Sequence, residues 1–298
     1  MNSEAHMGRG RKGRVMHGPT LTIGHRTPSG EMTHTCEVPQ FGLGVFLMKE
    51  PGVCKQACLW ALETGYRHID TAKVYENEEG VGEALAECGI ERSEVFVTTK
   101  LRSLDATSYD AVLEHCQASL ERLGIEQVDL YLVHAPPPDI DCRAEVWRGM
   151  ETCLDNGWTR AIGVSNYGRN HLDALMQNAR YGPSVNQVEI HPWLQRPDLI
   201  AATLEVGAVP MAYSPLARGH KVDDPKLAEI AGAIGCTPAQ AALKWCMDRG
   251  YITIPKSSNE NRIAENLAAL DVDIEDQRDA LDSLEENYIS GWDPTTEP

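Results

Sequence analysis

Asp70 and Tyr75 stand five residues apart in the segment GYRHIDTAKVYENEEGVG, Gly65 to Gly82, where a short apolar run passes into a polar loop. A phenol with its ordinary pKa of about 10 is a poor proton donor at neutral pH unless a neighbouring cation favours its anion. An amine and an imidazole occur at equivalent places downstream. Lys100 closes the apolar run Val95-Phe96-Val97-Thr98-Thr99, and His134 closes Val128-Asp129-Leu130-Tyr131-Leu132-Val133. An acid, a phenol, an amine and an imidazole form a set suited to handing a proton to a reacting oxygen.

Such a set works only if the chain brings together residues about 30 positions apart. Apolar runs centred near residues 43, 69, 97, 131, 162, 187, 211 and 253 read as strands, and each interval leaves room for a helix. Cys54, Ala57, Cys58, Ala61 and Leu62 form one apolar stripe ending at Gly65. Tyr109, Val112, Leu113, Cys116, Leu120 and Leu123 form another ending at Gly124, and Glu78–Glu87 fills the gap between the second and third strands. Eight strands alternating with helices over roughly 250 residues fit an α/β fold, the (β/α)₈ TIM barrel, whose strand ends converge on one mouth. Asp70, Lys100 and His134 sit at such ends. Lys226–Ile234, Thr237–Arg249, Glu260–Ala268 and Ile274–Asn287 are expected as helices, more than one per strand near the C-terminus. No internal repeat or linker divides the chain, so residues 1–298 are expected to form a single barrel domain, with residues 1–18 a disordered basic arm.

The chain carries 44 acidic and 27 basic residues, a net charge of −17, which argues against nonspecific binding to nucleic acid or anionic membrane. Its one basic tract, Arg9, Arg11, Lys12 and Arg14, is followed by no apolar segment of the kind a signal peptide needs. No apolar run reaches the roughly 18–20 residues that span a bilayer. The nine cysteines contain no CxxC pair and fit small hydrophobes in a reducing cytosol better than disulfides or a metal site. A cytoplasmic monomer without a metal is expected.

Gly42-Leu43-Gly44 is followed by Leu47 where a dinucleotide fingerprint needs glycine, so a Rossmann site fails. A different cofactor cradle is visible. Ser165 and Asn166 end the fifth strand, Gln187 lies in the sixth, and Tyr213 ends the seventh. Amide and hydroxyl groups beside one aromatic face suit a flat ring bearing a carboxamide. After the eighth strand, Lys256, Ser257 and Arg262 surround a helix start, an arrangement that suits a phosphate monoester.

At this density of motifs the chain resembles the aldo-keto reductase family. The likeness runs from about residue 36 to 294 through GLGVF, GYRHIDTAKVYENEEGVG, VFVTTKL, VDLYLVHAP, AIGVSNY, NQVEIHP, AYSPLARG and IPKSSNENRIAENL. Its tail Gly291-Trp292-Asp293-Pro294 and the short loop after Tyr213 are most similar to microbial members of the 2,5-diketo-gluconate reductase and protozoal prostaglandin F synthase type. The resemblance implies NADPH-dependent reduction of a small carbonyl compound, with NADPH laid across the barrel mouth and Asp70, Tyr75, Lys100 and His134 as the catalytic tetrad. Tyr75 is then the general acid, Lys100 lowers its pKa, Asp70 balances Lys100, and His134 orients the carbonyl. The resemblance also implies that Tyr213 stacks on the nicotinamide and Ser165, Asn166 and Gln187 hold its carboxamide. Ser214 and Leu216 offer backbone N–H groups to the pyrophosphate, Lys256, Ser257 and Arg262 take the 2′-phosphate, and Glu265 and Asn266 contact adenine.

Taken singly, each of these residues is more often structural. His134 alone would be a satisfied buried histidine, and Lys256 and Arg262 a solvated face; their joint placement at strand ends favours a site. His68 and His191 lack that placement and read as structural. Phe46, Arg102 and Ala135 stand where many relatives carry tryptophan, which implies a wider, less aromatic substrate pocket. Phe46 and Arg102 are expected to line it, and Arg102 either meets a substrate carboxylate or is a solvated loop charge. Residues 20–36, with the turn signal Pro28-Ser29-Gly30, exceed the family's usual N-terminal hairpin. Two other classes stay open: a regulatory barrel subunit that binds the cofactor without turnover, and a metal-dependent barrel hydrolase. Against the latter, Lys100 and Tyr75 are poor ligands for a divalent ion.

Overall fold

The computed structural model describes residues 18–50 and 52–297; the expected basic arm, with Arg9, Arg11, Lys12 and Arg14, lies outside them apart from its last residue. The extra N-terminal length folds as the hairpin expected. Strand β1 (Thr20–Arg26) pairs antiparallel with β2 (Met32–Pro39). The intervening turn places Gly30 at φ 85°, a conformation that costs little only without a Cβ.

Eight parallel strands follow: β3 (Leu43–Gly44), β4 (His68–Asp70), β5 (Phe96–Leu101), β6 (Val128–Val133), β7 (Thr159–Ser165), β8 (Val185–Glu189), β9 (Val209–Tyr213) and β10 (Ile252–Ile254). Each coincides with one of the apolar runs of the sequence. Most are buried along their whole length, as expected for strands covered on both faces. The first and last strands meet through parallel bridges between Phe41 and Thr253 and between Gly44 and Lys256. Gly42 and Gly44 donate to the carbonyls of Thr253 and Pro255 at 3.0 and 2.9 Å, which closes the barrel. A Cβ at Gly42 would lie 2.7 Å from Cγ of His68, so this seam requires glycine.

The helices are α1 (Val53–Thr64), α2 (Glu78–Glu87), α3 (Tyr109–Leu123), α4 (Arg143–Asp155), α5 (Arg169–Met176), α6 (Pro197–Glu205), α7 (Pro225–Ile234), α8 (Pro238–Asp248), α9 (Glu260–Leu267) and α10 (Arg278–Asp282). Helix α3 shows how local chemistry sets the ends. Ser108 accepts the N–H of Ala111 at its start, Gly124 takes the left-handed cap at φ 63°, and Val112, Cys116, Leu120 and Leu123 turn inward between them. The described cysteines are all free, and Cys54, Cys58 and Cys116 are buried as small apolar groups.

The hairpin covers the end of the barrel opposite the strand C-termini. Ile23, Cys36 and Val38 pack with Phe96, Leu130, Ala161 and Met211 from the barrel interior. His25 bridges the two parts, with Nδ1 2.8 Å from the carbonyl oxygen of Gly182 and Nε2 accepting the N–H of Ile162. Burial lowers its pKa to about 4, so the imidazole is neutral at pH 7.

One expected helix is shorter than its sequence pattern. Residues 274–287 give only a 3₁₀ turn at Glu275–Gln277 and the five-residue α10. The backbone N–H groups of Glu286 and Tyr288 both donate to the carbonyl of Trp193, and Asn287 between them adopts φ 52°. Long-range bonds to the segment after β8 thus replace the bonds that would have continued the helix. Among the described residues no helix is long and apolar enough to cross a membrane.

Candidate active site

The strand C-termini surround a cavity of about 760 Å³. Asp70 ends β4, Lys100 is the penultimate residue of β5, His134 follows β6, and Tyr75 lies on a 3₁₀ turn after β4. Their placement brings all four together. Lys100 Nζ donates to Asp70 Oδ1 at 2.6 Å and to the Thr71 carbonyl at 2.8 Å, with both charged side chains essentially excluded from solvent. The same ammonium lies 5.0 Å from the centroid of the Tyr75 ring. Tyr75 Oη and His134 Nε2 are 3.5 Å apart, long for a hydrogen bond to each other but close enough to converge on one oxygen between them.

Burial dominates the electrostatics here. His134 is lowered to about 3, first by desolvation and then by Lys100, so it is neutral at pH 7 and has one ring N–H to donate. Tyr75 departs from the expectation that Lys100 depresses its pKa. Burial pushes the phenol well up, Asp70 and Tyr213 add to the rise, and Arg218 acts against it. Lys100 cannot do more because Asp70 already neutralises it; its own pKa is lowered by burial against the pull of Asp70. The phenol therefore holds its proton at neutral pH.

The amides expected to cradle a carboxamide are also wired into this end. Gln187 Nε2 donates to Asp70 Oδ2 and to Met211 Sδ, both at 2.8 Å, so the amide oxygen is what remains for a ligand. Asn166 Nδ2 donates to the His134 carbonyl at 2.9 Å and to Ser165 Oγ at 3.1 Å, while its oxygen accepts from Tyr213 Oη at 2.9 Å. Asn166 sits at φ 60° to do so, a left-handed conformation that asparagine tolerates better than most residues. It holds His134 and Tyr213 in place before any ligand arrives.

The far end of the cavity is lined by Lys256, Ser257, Arg262, Glu265 and Asn266. Asn259 caps α9 by accepting the N–H of Arg262 at 3.1 Å, and Ser257 Oγ and the Asn259 backbone exchange hydrogen bonds at 3.2–3.3 Å. The Lys256 pKa is lowered by partial burial and by the Arg262 guanidinium. Among the described residues neither cation is in an ion pair with a carboxylate. Two cations drawn together beside a helix N-terminus fit an anionic group. Ser214, at φ 47°, and Leu216 line the stretch between the two ends.

Phe46 borders the catalytic end, its ring centroid 5.0 Å from that of Tyr75. Arg102 does not line the cavity: it is exposed in a turn closed by the Asp105 N–H on its carbonyl, beyond the end of β5. His68 is buried against Thr98, and His191 against Glu189, both away from the cavity. Val74, Arg218 and Trp292 line the mouth and were not anticipated. Arg218 was within reach of the same reasoning, since the loop SPLARG directly follows the strand that ends in Tyr213. Among the described residues no three His, Cys, Asp or Glu side chains group as a metal-ligand set.

The model of the aldo/keto reductase family matches residues 55–286. An aldo-keto reductase of Mycolicibacterium vanbaalenii is 42% identical over 260 residues, covering 87% of this chain and 92% of that protein. The 9,11-endoperoxide prostaglandin H2 reductase of Trypanosoma cruzi is 38% identical over 265 residues, covering 88% and 93%. Among solved structures, a Bombyx mori aldo-keto reductase in complex with NADP superposes with a TM-score of 0.81 at 33% identity, covering 94% of this chain and 96% of that one.

Proposed function

The chain belongs to the aldo/keto reductase family of oxidoreductases, and on that premise we propose that it reduces an aldehyde or ketone to an alcohol with NADPH, Tyr75 being the general acid. One observation supports this above the rest: a protonated phenol and a neutral imidazole stand 3.5 Å apart in a cavity that is also lined by Lys256 and Arg262, cations in no ion pair among the described residues.

NADPH, when bound, supplies the hydride. The protein does the remaining work. His134 and Tyr75 hold the carbonyl oxygen between them, and Tyr75 passes its proton to that oxygen as negative charge develops there. The Lys100 ammonium stays beside the ring that gives up the proton, and its ion pair with Asp70 holds it there in a buried site. Tyr213 presents its ring to the nicotinamide, while Ser165, Asn166 and the Gln187 oxygen meet the carboxamide. Ser214 and Leu216 meet the pyrophosphate. Lys256, Ser257 and Arg262 receive the 2′-phosphate, with Glu265 and Asn266 toward adenine.

Loss of NADPH absorbance with a panel of aldehydes tests this. Tyr75→Phe should lower turnover by about 10²–10⁴-fold, the usual share of a general acid, while NADPH still quenches tryptophan fluorescence on binding. Turnover near wild type would remove Tyr75 from the chemistry. A regulatory, non-turnover barrel would instead bind NADPH and consume none with any aldehyde.

A further inference from the structure

Arg218 is a cation that lines the cavity and makes no ion pair among the described residues. Its Cζ lies 5.7 Å from the centroid of the Phe46 ring, which itself packs on Tyr75. On the other side runs the backbone of Gly291: a Cβ there would stand 2.5 Å from Cζ of Arg218. The guanidinium thus lies between an aromatic ring and the main chain at Gly291. Its own backbone is unusual as well. Ser214, Ala217 and Arg218 adopt φ of 47°, 47° and 55°, costly for residues with side chains, and hydrogen bonds from Ala217 to Ser214 and from Gly219 to Leu216, each 2.8 Å, fix the loop.

This chain has an excess of acids, and other arginines find them: Arg122 meets Glu78 and Arg160 meets Asp129, both at 2.7 Å, and Arg196 meets Asp293 at 2.9 Å. Among the described residues no carboxylate lies within ion-pair distance of Arg218. Its charge reaches inward instead, acting on both Tyr75 and Tyr213. Phe46 lies between Arg218 and Tyr75, and Leu47, Val74 and Trp292 add further apolar surface to the cavity lining.

We propose that Arg218 is a specificity-determining residue that receives the carboxylate of an anionic carbonyl substrate, an oxo acid or carboxylated aldehyde whose apolar spacer lies along that apolar surface. A planar guanidinium held in place matches a carboxylate through two parallel hydrogen bonds. The role considered for Arg102 passes to Arg218, which faces the cavity. This rests on the carbonyl-reduction reading above.

Two substrate pairs that differ in one charge test it: 4-carboxybenzaldehyde with its methyl ester, and 4-oxobutanoate with its methyl ester. The wild type should favour the acid in at least one pair, and added salt should narrow that preference. In Arg218→Met the ratio of kcat/KM for acid over ester should fall roughly tenfold, and Arg218→Lys should restore part of it. Ratios unchanged by Arg218→Met in both pairs would overturn the proposal. So would a loss of NADPH affinity equal to the loss in the ratio, because the guanidinium would then serve the cofactor. Failure of all four compounds and of neutral aldehydes to oxidise NADPH would strike the carbonyl-reduction reading itself.

Discussion

The two ends of the cavity treat charge in opposite ways. At the closed end Lys100 and Asp70 neutralise each other at 2.6 Å, His134 is held neutral, and Tyr75 keeps its proton. At the open end Lys256, Arg262 and Arg218 line the cavity with Glu265 and Asp223, and among the described residues none of the three cations is in an ion pair. Water accounts for the difference. An unbalanced charge without water is expensive, so a buried site carries its counterions with it, whereas a solvated rim can leave a cation waiting for a ligand. A residue's role can therefore be sorted by whether the protein itself has satisfied its charge.

The sharpest way to break this comparison is to unbalance the closed end. Asp70→Asn leaves the Lys100 ammonium buried without its anion and should cost about 3–5 kcal/mol of stability. Lys100→Met should cost a similar amount, and the double variant less than the sum of the two. Urea midpoints of the three variants check this, and additive losses would mean that the pair is not coupled.

Removing a charge at the open end should leave folding intact and change binding. Arg262→Ala should weaken NADPH by roughly 10- to 150-fold, from the usual strength of a charge-assisted hydrogen bond, and NADH by little. Fluorescence titration with both cofactors decides the matter: equal losses would show that Arg262 does not read the 2′-phosphate.

A third prediction concerns pH. His25 and His68 are lowered to about 4 and His134 to about 3, each mainly by burial. Unfolding releases them to ordinary values near 6.5, so between about pH 6.5 and 4 the unfolded chain binds protons that the folded one refuses. Stability should be full above that window and fall with decreasing pH, by up to about 1.4 kcal/mol per pH unit for each histidine. A denaturation midpoint unchanged from pH 7 to 5 would mean that these imidazoles are not held neutral.

The strand pattern, the helix stops at Gly65 and Gly124 and the convergence of Asp70, Lys100 and His134 are all legible in the sequence, because alternation and strand ends are local signals. For Arg102, two positions beyond Lys100, the sequence leaves open a substrate contact or a solvated loop charge; β5 ends at Leu101 and the following turn carries Arg102 outward. Periodicity gives no warning of where a strand stops by a single residue. The helix expected over 274–287 failed for the opposite reason: its local pattern is sound, and the Trp193 carbonyl, more than 90 residues away, captures the backbone N–H groups that would have extended it.

From residue types and spacing alone came the barrel, the family resemblance and the candidates for acid, imidazole and phosphate-binding cations. The tertiary structure decided their states. It put Lys100 against Asp70 before it could act on Tyr75, tied Gln187 to Asp70 and Asn166 to His134, and wedged Arg218 between Phe46 and Gly291. A sequence names the groups that can carry charge, but their pKa values and partners depend on burial and on distances of a few ångströms between residues far apart in the chain. Those quantities exist only once the barrel has closed.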